Sequence, residues 1–318
     1  MSFMNFHIGV IFCFALCLPS AHAQKPFSFV ALGDLPYGSA ENAYRPYRAL
    51  IDRINLLEPA FSVHVGDIKS GSTLCSDEEF ANQKSHFQRF AGAVVYTPGD
   101  NEWTDCHRAN NGSYYPLERL QAIRDVFFVP NFSLGIKPLR VQSQAHVMPQ
   151  FGKYVENLRW QHQKILFVTL HMVGSNNNLE GRNLAAAAEF FERDEANVAW
   201  IKAGFELARQ ADLDAIVFAF QADVLEQRTQ WEDFPSWSGF RRSMAETLMP
   251  LADRWSKPVL VIHGDSHHFK IDQPFQLNRK PLRNLTRLIV PGAADVRAVK
   301  VTVRGASFSF ELFSPVTE

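Results

Sequence analysis

The sequence predicts an α/β fold in which two β-sheets pack face to face with helices on the outside. Three observations predict it. Four short apolar runs, of the kind that form buried strands, each end in the dipeptide Gly-Asp. Strand and helix patterns alternate through residues 29–100, which implies parallel strands with right-handed crossovers. Near the C-terminus, residues 285–291, 296–303 and 307–312 alternate polar and apolar side chains as antiparallel strands do.

The Gly-Asp dipeptides also predict where ligands bind. The four runs end at Gly33-Asp34, Gly66-Asp67, Gly99-Asp100 and Gly264-Asp265. Glycine lets the backbone turn sharply or approach a ligand closely. Each aspartate then stands at the carboxyl end of its strand, where open α/β sheets bind their ligands. Because like charges a few ångströms apart cannot all stay ionised without a cation, four converging carboxylates predict a metal centre.

Helices separate the first three strands. One of about three turns begins near Pro46 and is stopped by Pro59. The next opens at residues 76–79 with Ser-Asp-Glu-Glu, a capping-box pattern. Residues 101–163 are polar, aromatic and punctuated by proline, with one helix at 117–128. They are predicted to form a lid-like insertion over the strand ends.

The second half of the chain is predicted to supply the second sheet. A strand at 164–170 runs into His171 and a Gly-Ser-Asn loop, and a helix follows over 184–210. A strand at 214–220 ends in Gln221, and a Trp-containing loop and a helix then lead to the last Gly-Asp strand. Because no linker, repeat or low-complexity tract divides the chain, residues 24–318 are predicted to form a single domain.

The composition is that of a globular protein. The chain has 318 residues, 46% of them hydrophobic, with a formal net charge of -1, so no nucleic-acid partner is expected. Residues 8–18 are apolar and precede a small-residue cleavage site at Ala21-His-Ala23, which predicts a signal peptide over residues 1–23. The apolar segment is too short for a membrane span. We therefore expect a secreted or periplasmic protein with no stable membrane span after cleavage.

Two cysteines remain after signal removal. Cys75 and Cys106 lie in the loops that follow the second and third Gly-Asp strands. If these strands are neighbours, the two thiols can meet above the sheet, and export favours their oxidation to a disulfide. Two unpaired thiols are the alternative.

The order of the motifs resembles the calcineurin-like metallophosphoesterase superfamily, which includes the purple acid phosphatases. The segments similar to its first, second, third and last motifs are Gly33-Asp34, Gly66-Asp67, Gly99-Asp100-Asn101-Glu102 and Gly264-Asp265-Ser266-His267. The resemblance covers nearly all of the mature chain. It implies a four-layer α/β/β/α sandwich of two mixed β-sheets, with a two-metal site between the loop ends of the sheets.

The resemblance also implies roles for single residues. Asp67 would bridge two cations, Asp34 and His267 would hold one of them, and Asp100 and Asp265 the other. Gln221 aligns with a metal-binding histidine of the family. The implied reaction is hydrolysis of a phosphate mono- or diester by a metal-activated water.

The chain departs from the family pattern at several positions. Pro36 stands where the first motif has His, Asp100 replaces an Asn ligand, and Asp265 replaces a His. Asn101 replaces the His that protonates the leaving group. The ligand set thus shifts from imidazole towards oxygen, which favours Mn, Mg, Ca or Fe over Zn, with two ions expected.

Three further side chains are candidates for the site. His171, at a strand end on the same rim, is the candidate general acid or an extra ligand, with a structural role as the alternative. Tyr37 is either a substitute ligand or a packed aromatic. Lys69 either contacts a phosphate of the substrate or is a solvated loop lysine.

The leading hypothesis is an exported, metal-dependent phosphoric ester hydrolase acting on a small or headgroup-like phosphate ester. The alternative is a catalytically silent member of the fold that binds a cation or an anionic ligand, which the missing acid supports. A third hypothesis is a haloacid-dehalogenase-type phosphatase. That class has Asp-x-Asp after its first strand, and Asp34-Leu-Pro36 lacks the second aspartate.

Overall fold

The structure is a computed structural model that describes residue 1 and residues 25–315. The apolar segment and cleavage site of the predicted signal peptide lie outside the described residues, together with Cys13 and Cys17. Among the helices of residues 25–315, none combines the length and the hydrophobicity needed to cross a membrane.

Most of the strands form two large sheets. In chain order they are β1 (Phe27–Leu32), β2 (Ser62–His64), β3 (Val94–Tyr96), β4 (Gln142–Ser143), β5 (Leu158–His162), β6 (Ile165–Thr169), β7 (Ala215–Ala219), β8 (Val259–His263), β9 (Lys270–Asp272), β10 (Gln276–Leu277), β11 (Lys280–Pro281), β12 (Leu285–Ile289), β13 (Ala298–Arg304) and β14 (Ser307–Phe313). The first sheet has the order β14-β13-β1-β2-β3, and the second β4-β5-β6-β7-β8-β12-β9. A separate two-stranded ribbon pairs β10 with β11.

The first sheet confirms the β-α-β-α-β prediction. Strands β1, β2 and β3 are parallel neighbours. Strands β13 and β14 extend the sheet on the other side of β1 in antiparallel pairing. Three of the four Gly-Asp turns therefore lie at one edge of the same sheet, because the carboxyl ends of parallel strands point the same way.

In the second sheet the structure confirms one prediction in part. Strand β12 was expected to pair as an antiparallel strand; it inserts between β9, with which it is antiparallel, and β8, with which it is parallel. Leu285, Leu288 and Ile289 are all buried, which is the pattern of an inner strand with both faces covered rather than of an exposed antiparallel edge.

The segment 101–163 is also corrected in part. Its last residues form β5, which pairs with β6 inside the second sheet and does not lie over the strand ends. In β5, Leu158 and Trp160 face the core while Gln161 is exposed, an alternation that marks a strand beside an edge of the sheet. The helix predicted at 117–128 is present at Pro116–Phe127.

The helices cover the outer faces of the sheets. They are α1 (Ala40–Leu57), α2 (Asp77–Phe87), α3 (Pro116–Phe127), α4 (Gln144–Val147), α5 (Leu184–Gln210) and α6 (Met249–Trp255), the last preceded by a π-helical stretch at Arg241–Leu248. At the start of α2, the Ser76 hydroxyl accepts a hydrogen bond from the Glu79 N–H at 3.2 Å, as the capping pattern predicts. The α1 helix ends at Glu58, whose backbone is left-handed, one residue before Pro59.

Three apolar cores separate four layers. The central core lies between the two sheets and joins, for example, Phe29 of β1 with Phe167 of β6. The outer core of the first sheet includes Tyr47 of α1 and Phe80 of α2. The outer core of the second sheet includes Trp200 of α5. The α/β/β/α sandwich is thereby confirmed.

The structure pairs Cys75 with Cys106 in a disulfide bond. The two sulfurs lie 3.5 and 3.7 Å from the carbonyl oxygen of Asn101, so the bond braces the turn that follows β3. The unpaired-thiol alternative is thereby excluded.

Removing this disulfide should destabilise the protein substantially. The bond closes a loop with a sequence separation of 31 residues, for which the chain-entropy relation gives about 3–4 kcal/mol. The double variant Cys75→Ala/Cys106→Ala is expected to lose that much free energy of unfolding in urea titrations. Wild-type protein unfolded with a reductant present should match the variant; equal stability of the oxidised wild type and the variant would contradict the prediction.

Candidate metal centre

The residues after β1, β2 and β8 turn sharply at the sheet edges. Asp34, Asp67, Asp265 and His267 all have positive φ, at 51°, 54°, 71° and 60°. Aspartate, asparagine and histidine tolerate this left-handed region better than most residues. The turns bring the side chains of Asp34, Asp67 and His267 together above the strand ends.

Glycines make room for these carboxylates. A Cβ atom at Gly264 or Gly292 would lie closer than 3.0 Å to the side chain of Asp34, and one at Gly99 equally close to that of Asp67. At Gly174, a Cβ would lie 2.8 Å from Asp100 Oδ2. The backbone thus forms a cradle around the acidic side chains that any larger residue would fill.

Asp34, Asp67 and His267 form a group able to hold a cation. Each offers a ligand atom within 4.8 Å of the other two. The Nε2 atom of His267 lies 3.5 Å from Asp34 Oδ1, and Asp34 Oδ2 is buried without a hydrogen-bond partner among the described residues. A buried carboxylate oxygen without a donor is costly, and a divalent cation would satisfy it. The residues present therefore fit a metal ion at this position.

The other oxygen atoms of the group are held by protein donors. Asp67 Oδ2 accepts hydrogen bonds from the Tyr37 hydroxyl at 2.6 Å, Asn101 Nδ2 at 2.7 Å and Gln221 Nε2 at 3.3 Å. Asp67 Oδ1 accepts one from the Asn101 N–H at 3.2 Å. Burial and the neighbouring Asp67 raise the pKa of Tyr37 well above its ordinary value, so its hydroxyl keeps the proton that it donates.

Tyr37 is therefore a packed aromatic, as one interpretation of the sequence had it, and its hydroxyl adds a role in the centre that the sequence did not reveal. Its ring packs edge-on against His267, with centroids 5.1 Å apart. Its hydroxyl also accepts a hydrogen bond from Asn101 Nδ2 at 2.6 Å. The residue is a hydrogen-bond donor that orients Asp67.

Glu102 ties two of the turns together, a role the sequence did not reveal. Its Oε1 atom accepts hydrogen bonds from the N–H groups of Asp67 and Gly99 and from the Tyr96 hydroxyl, at 3.1, 2.7 and 2.8 Å. The side chain is fully buried. An acid directly after Gly-Asp-Asn was the available signal, because a buried acid beside a tight turn needs backbone donors.

Asp100 and Asp265 lie beside this group. The Ser175 hydroxyl lies 2.9 Å from Asp100 Oδ2 and 2.9 Å from Asp105 Oδ1, and each of these carboxylate oxygens can accept its hydrogen. Asp265 Oδ2 accepts one from the Asp223 N–H at 2.9 Å, and the Asp265 N–H donates to Asp34 Oδ1 at 3.1 Å. Ser175 and Asp105 were not predicted, because their partners are distant in sequence.

The electrostatics show excess negative charge. Burial raises the pKa of Asp34, and burial with neighbouring carboxylates raises those of Asp67 and Asp265 well above the ordinary range. Burial and Asp105 raise the pKa of Asp100 to about 7. The hydrogen bond to Asp34 raises the pKa of His267. A cation would relieve this repulsion, which agrees with the fit of the Asp34 group.

His171 is enclosed in a separate polar network. The side chain is fully buried, and its Nδ1 atom lies 2.8 Å from Glu156 Oε1, which also pairs with Arg124. Burial lowers the pKa of His171 to about 4, so the ring is neutral near pH 7. A general acid must carry a proton and reach the substrate. The structure therefore contradicts the general-acid role of His171. Its Nε2 atom is buried without a hydrogen-bond partner among the described residues, and the residue is not part of the group of Asp34, Asp67 and His267.

Lys69 is buried as well, with 1% of its surface exposed. Its ammonium donates hydrogen bonds to the Ser70 carbonyl at 3.2 Å and to Asn111 Oδ1 at 3.4 Å. Burial lowers its pKa, and Glu102 and Asp67 oppose that effect. Lys69 is neither a solvated loop lysine nor exposed to a phosphate; it is an internal positive charge near the acidic centre.

A groove of about 620 Å³ begins at Ser175 and runs along the start of α3. Its walls combine aromatic and apolar side chains, such as Tyr114, Tyr115 and Leu117, with polar ones such as Asn178. The Tyr115 side chain is 58% exposed. The groove therefore offers space for an aromatic or apolar group beside Ser175, whose hydroxyl contacts Asp100.

Comparisons with known proteins identify solved structures that share this fold. No family model and no curated protein matches the chain. Among solved structures, a purple acid phosphatase from yellow lupin (Lupinus luteus) has a TM-score of 0.54 at 12% identity, covering 92% of this chain and 52% of that chain. A dimetal phosphatase from Danio rerio has a TM-score of 0.53 at 11% identity, covering 91% and 99%. GAP50, the anchor in the inner membrane complex of Plasmodium, has a TM-score of 0.50 at 11% identity, covering 92% and 85%. The chain therefore has the fold of the calcineurin-like metallophosphoesterases.

Proposed function

We propose that the protein is an exported, metal-dependent phosphoesterase that hydrolyses a small phosphate mono- or diester. The observation that carries the proposal is the Asp34, Asp67 and His267 group, whose ligand atoms lie within 4.8 Å of one another at the strand ends. The similar folds of a purple acid phosphatase and a dimetal phosphatase support it. Export rests on the sequence pattern at residues 1–23.

The residues of the centre have different roles in the proposed reaction. When bound, a divalent cation supplies positive charge for a phosphoryl oxygen and lowers the pKa of a water molecule. Asp34, Asp67 and His267 would hold that ion. The Tyr37 hydroxyl and the Asn101 amide fix the orientation of Asp67. Gly99 and Gly264 leave the space that the acidic side chains need.

The leaving group receives no proton from Asn101 or His171, the two residues that the sequence placed at the position of the acid or proposed for that role. Asn101 has no acidic proton to give, and His171 is buried and neutral near pH 7. General acid catalysis contributes typically 10²–10⁴-fold, and most to poor leaving groups. We therefore propose that the substrates are esters of acidic alcohols, such as aryl phosphates. The aromatic and apolar groove at Ser175 has room for such a group.

Activity assays on residues 24–318 test the proposal. We expect hydrolysis of 4-nitrophenyl phosphate or bis(4-nitrophenyl) phosphate with Mn²⁺ or Mg²⁺, its loss with a chelator, and its return when metal is restored. Alkyl phosphates should react at least about 100-fold more slowly, because they depend most on a general acid. Metal binding without turnover of any ester would instead favour the silent, ligand-binding alternative. An aspartyl-phosphate trapped on Asp34 would favour the haloacid-dehalogenase-type hypothesis.

A further inference from the structure

We propose that this centre binds one divalent cation, at Asp34, Asp67 and His267, and that hydrogen-bond donors of the protein take the place of a second ion. The inference concerns the same centre as the proposed function and rests on it. It departs from the two-ion centre that the motif resemblance implies, and it follows from how the side chains of the second position are used.

Gln221 stands where the resemblance places a metal-binding histidine, but its amide faces the wrong way for a ligand. Its oxygen accepts the Gly174 N–H at 2.5 Å, and its nitrogen donates to Asp67 Oδ2 at 3.3 Å. Because the Gly174 N–H requires an acceptor, the amide cannot flip without losing that bond. The metal-binding oxygen of Gln221 is therefore turned towards Gly174, and its NH₂ group points at Asp67 in the centre.

Asp67 cannot bridge two ions through Oδ2. Three donors already reach that oxygen, from Tyr37, Asn101 and Gln221. Hydrogen bonds to the charged form stabilise the carboxylate, and their partly positive hydrogens occupy the directions from which a second cation would approach. The three hydrogen bonds thus stabilise the negative charge of Asp67, as a second ion would in a two-ion centre.

Asp100 and Asp265 do not make a site by themselves. Each has one oxygen engaged by a protein donor, from Ser175 and from Asp223. Asp100 Oδ1 is buried without a hydrogen-bond partner among the described residues. Within residues 25–315, the group of Asp34, Asp67 and His267 brings three possible ligands together, and neither Asp100 nor Asp265 is part of it. Among the described residues, no third His, Cys, Asp or Glu ligand joins Asp100 and Asp265 in such a group.

Metal stoichiometry tests the inference directly. Residues 24–318 would be loaded with Mn²⁺, freed of unbound metal by dialysis and analysed by elemental mass spectrometry and electron paramagnetic resonance. We expect one Mn²⁺ per chain with the signal of an isolated ion. His267→Ala should lose the bound ion. Asp265→Asn should keep it, because the Asp34 contact of residue 265 comes from its backbone N–H.

Other results of the same measurements would contradict the inference. Two equivalents of Mn²⁺, a spin-coupled pair, or a halved content in Asp265→Asn would overturn the one-ion inference and leave the proposed function in place. No bound Mn²⁺ in the wild type would overturn both. Unfolding curves of the metal-free variants establish that a lost ion reflects a lost ligand and not a lost fold.

Discussion

Asp67→Asn is expected to lower the phosphoesterase activity by on the order of 10³-fold, equivalent to about 4 kcal/mol of transition-state stabilisation. The replacement has the same shape, so the effect comes from the change of one oxygen to an NH₂ group. If that group takes the place of Oδ2, it faces the donors of Tyr37, Asn101 and Gln221. If it takes the place of Oδ1, it faces the Asn101 N–H. Neither orientation satisfies the centre.

The same substitution should remove the stabilisation that metal confers. A ligand that binds only the folded state adds about 2.7 kcal/mol at a concentration 100 times its Kd. Wild-type protein titrated with Mn²⁺ is therefore expected to show a higher Tm, whereas Asp67→Asn should show no change. Asp253→Asn is a matched control, since Asp253 is an exposed aspartate of α6, outside the candidate centre. An equal Mn²⁺-induced rise in Asp67→Asn would show that the ion binds elsewhere.

The position of the centre could be predicted from the sequence because the signal is local. Gly-Asp after a short apolar run marks a strand end, and parallel strands bring their ends to one edge. The structure places Asp34 and Asp67 side by side on that basis. Spacing alone also located Cys75 and Cys106 in adjacent loops.

The use of each side chain could not be predicted, because it depends on contacts between distant segments. His171 follows a strand like the other candidates, but Glu156 and Arg124 enclose it from another part of the chain. Lys69 lies two residues from Asp67 and still points inward, to Asn111. The amide of Gln221 is oriented by Gly174. Periodicity gives the face of a strand and leaves such partners undetermined.

The pairing of β12 could be predicted only on one side, for a related reason. Its sequence indicates an antiparallel strand, which holds for its pairing with β9, but the topology also places it beside β8 in parallel. Sheet order depends on which strand edges remain open after the earlier elements have packed, and that information is not local. The strand itself was predicted from its residues; its neighbour was not.

Gly66→Ala is expected to cost about 3–5 kcal/mol of unfolding free energy, from a left-handed backbone and overpacking together. Gly66 has φ +94°, and a Cβ there would lie 2.6 Å from the Gly99 nitrogen and 2.9 Å from its Cα. Backbone cannot move aside as a flexible side chain can, so the turns after β2 and β3 would have to separate. Since these turns carry Asp67 and Asp100, Mn²⁺ binding should weaken as well.

Substitutions at two other glycines separate the cost of the left-handed backbone from the cost of overpacking. Gly305 has φ +59° and no atom within 4 Å of a Cβ, so Gly305→Ala should carry the backbone cost alone, about 1 kcal/mol. Gly181 has neither feature, so Gly181→Ala should be close to neutral. Urea unfolding of the three metal-free variants, followed by tryptophan fluorescence, measures the series. If Gly66→Ala were no less stable than Gly305→Ala, the turns after β2 and β3 would not be in contact in solution, and the close approach that positions Asp67 beside Gly99 and Asp100 would lose its physical basis.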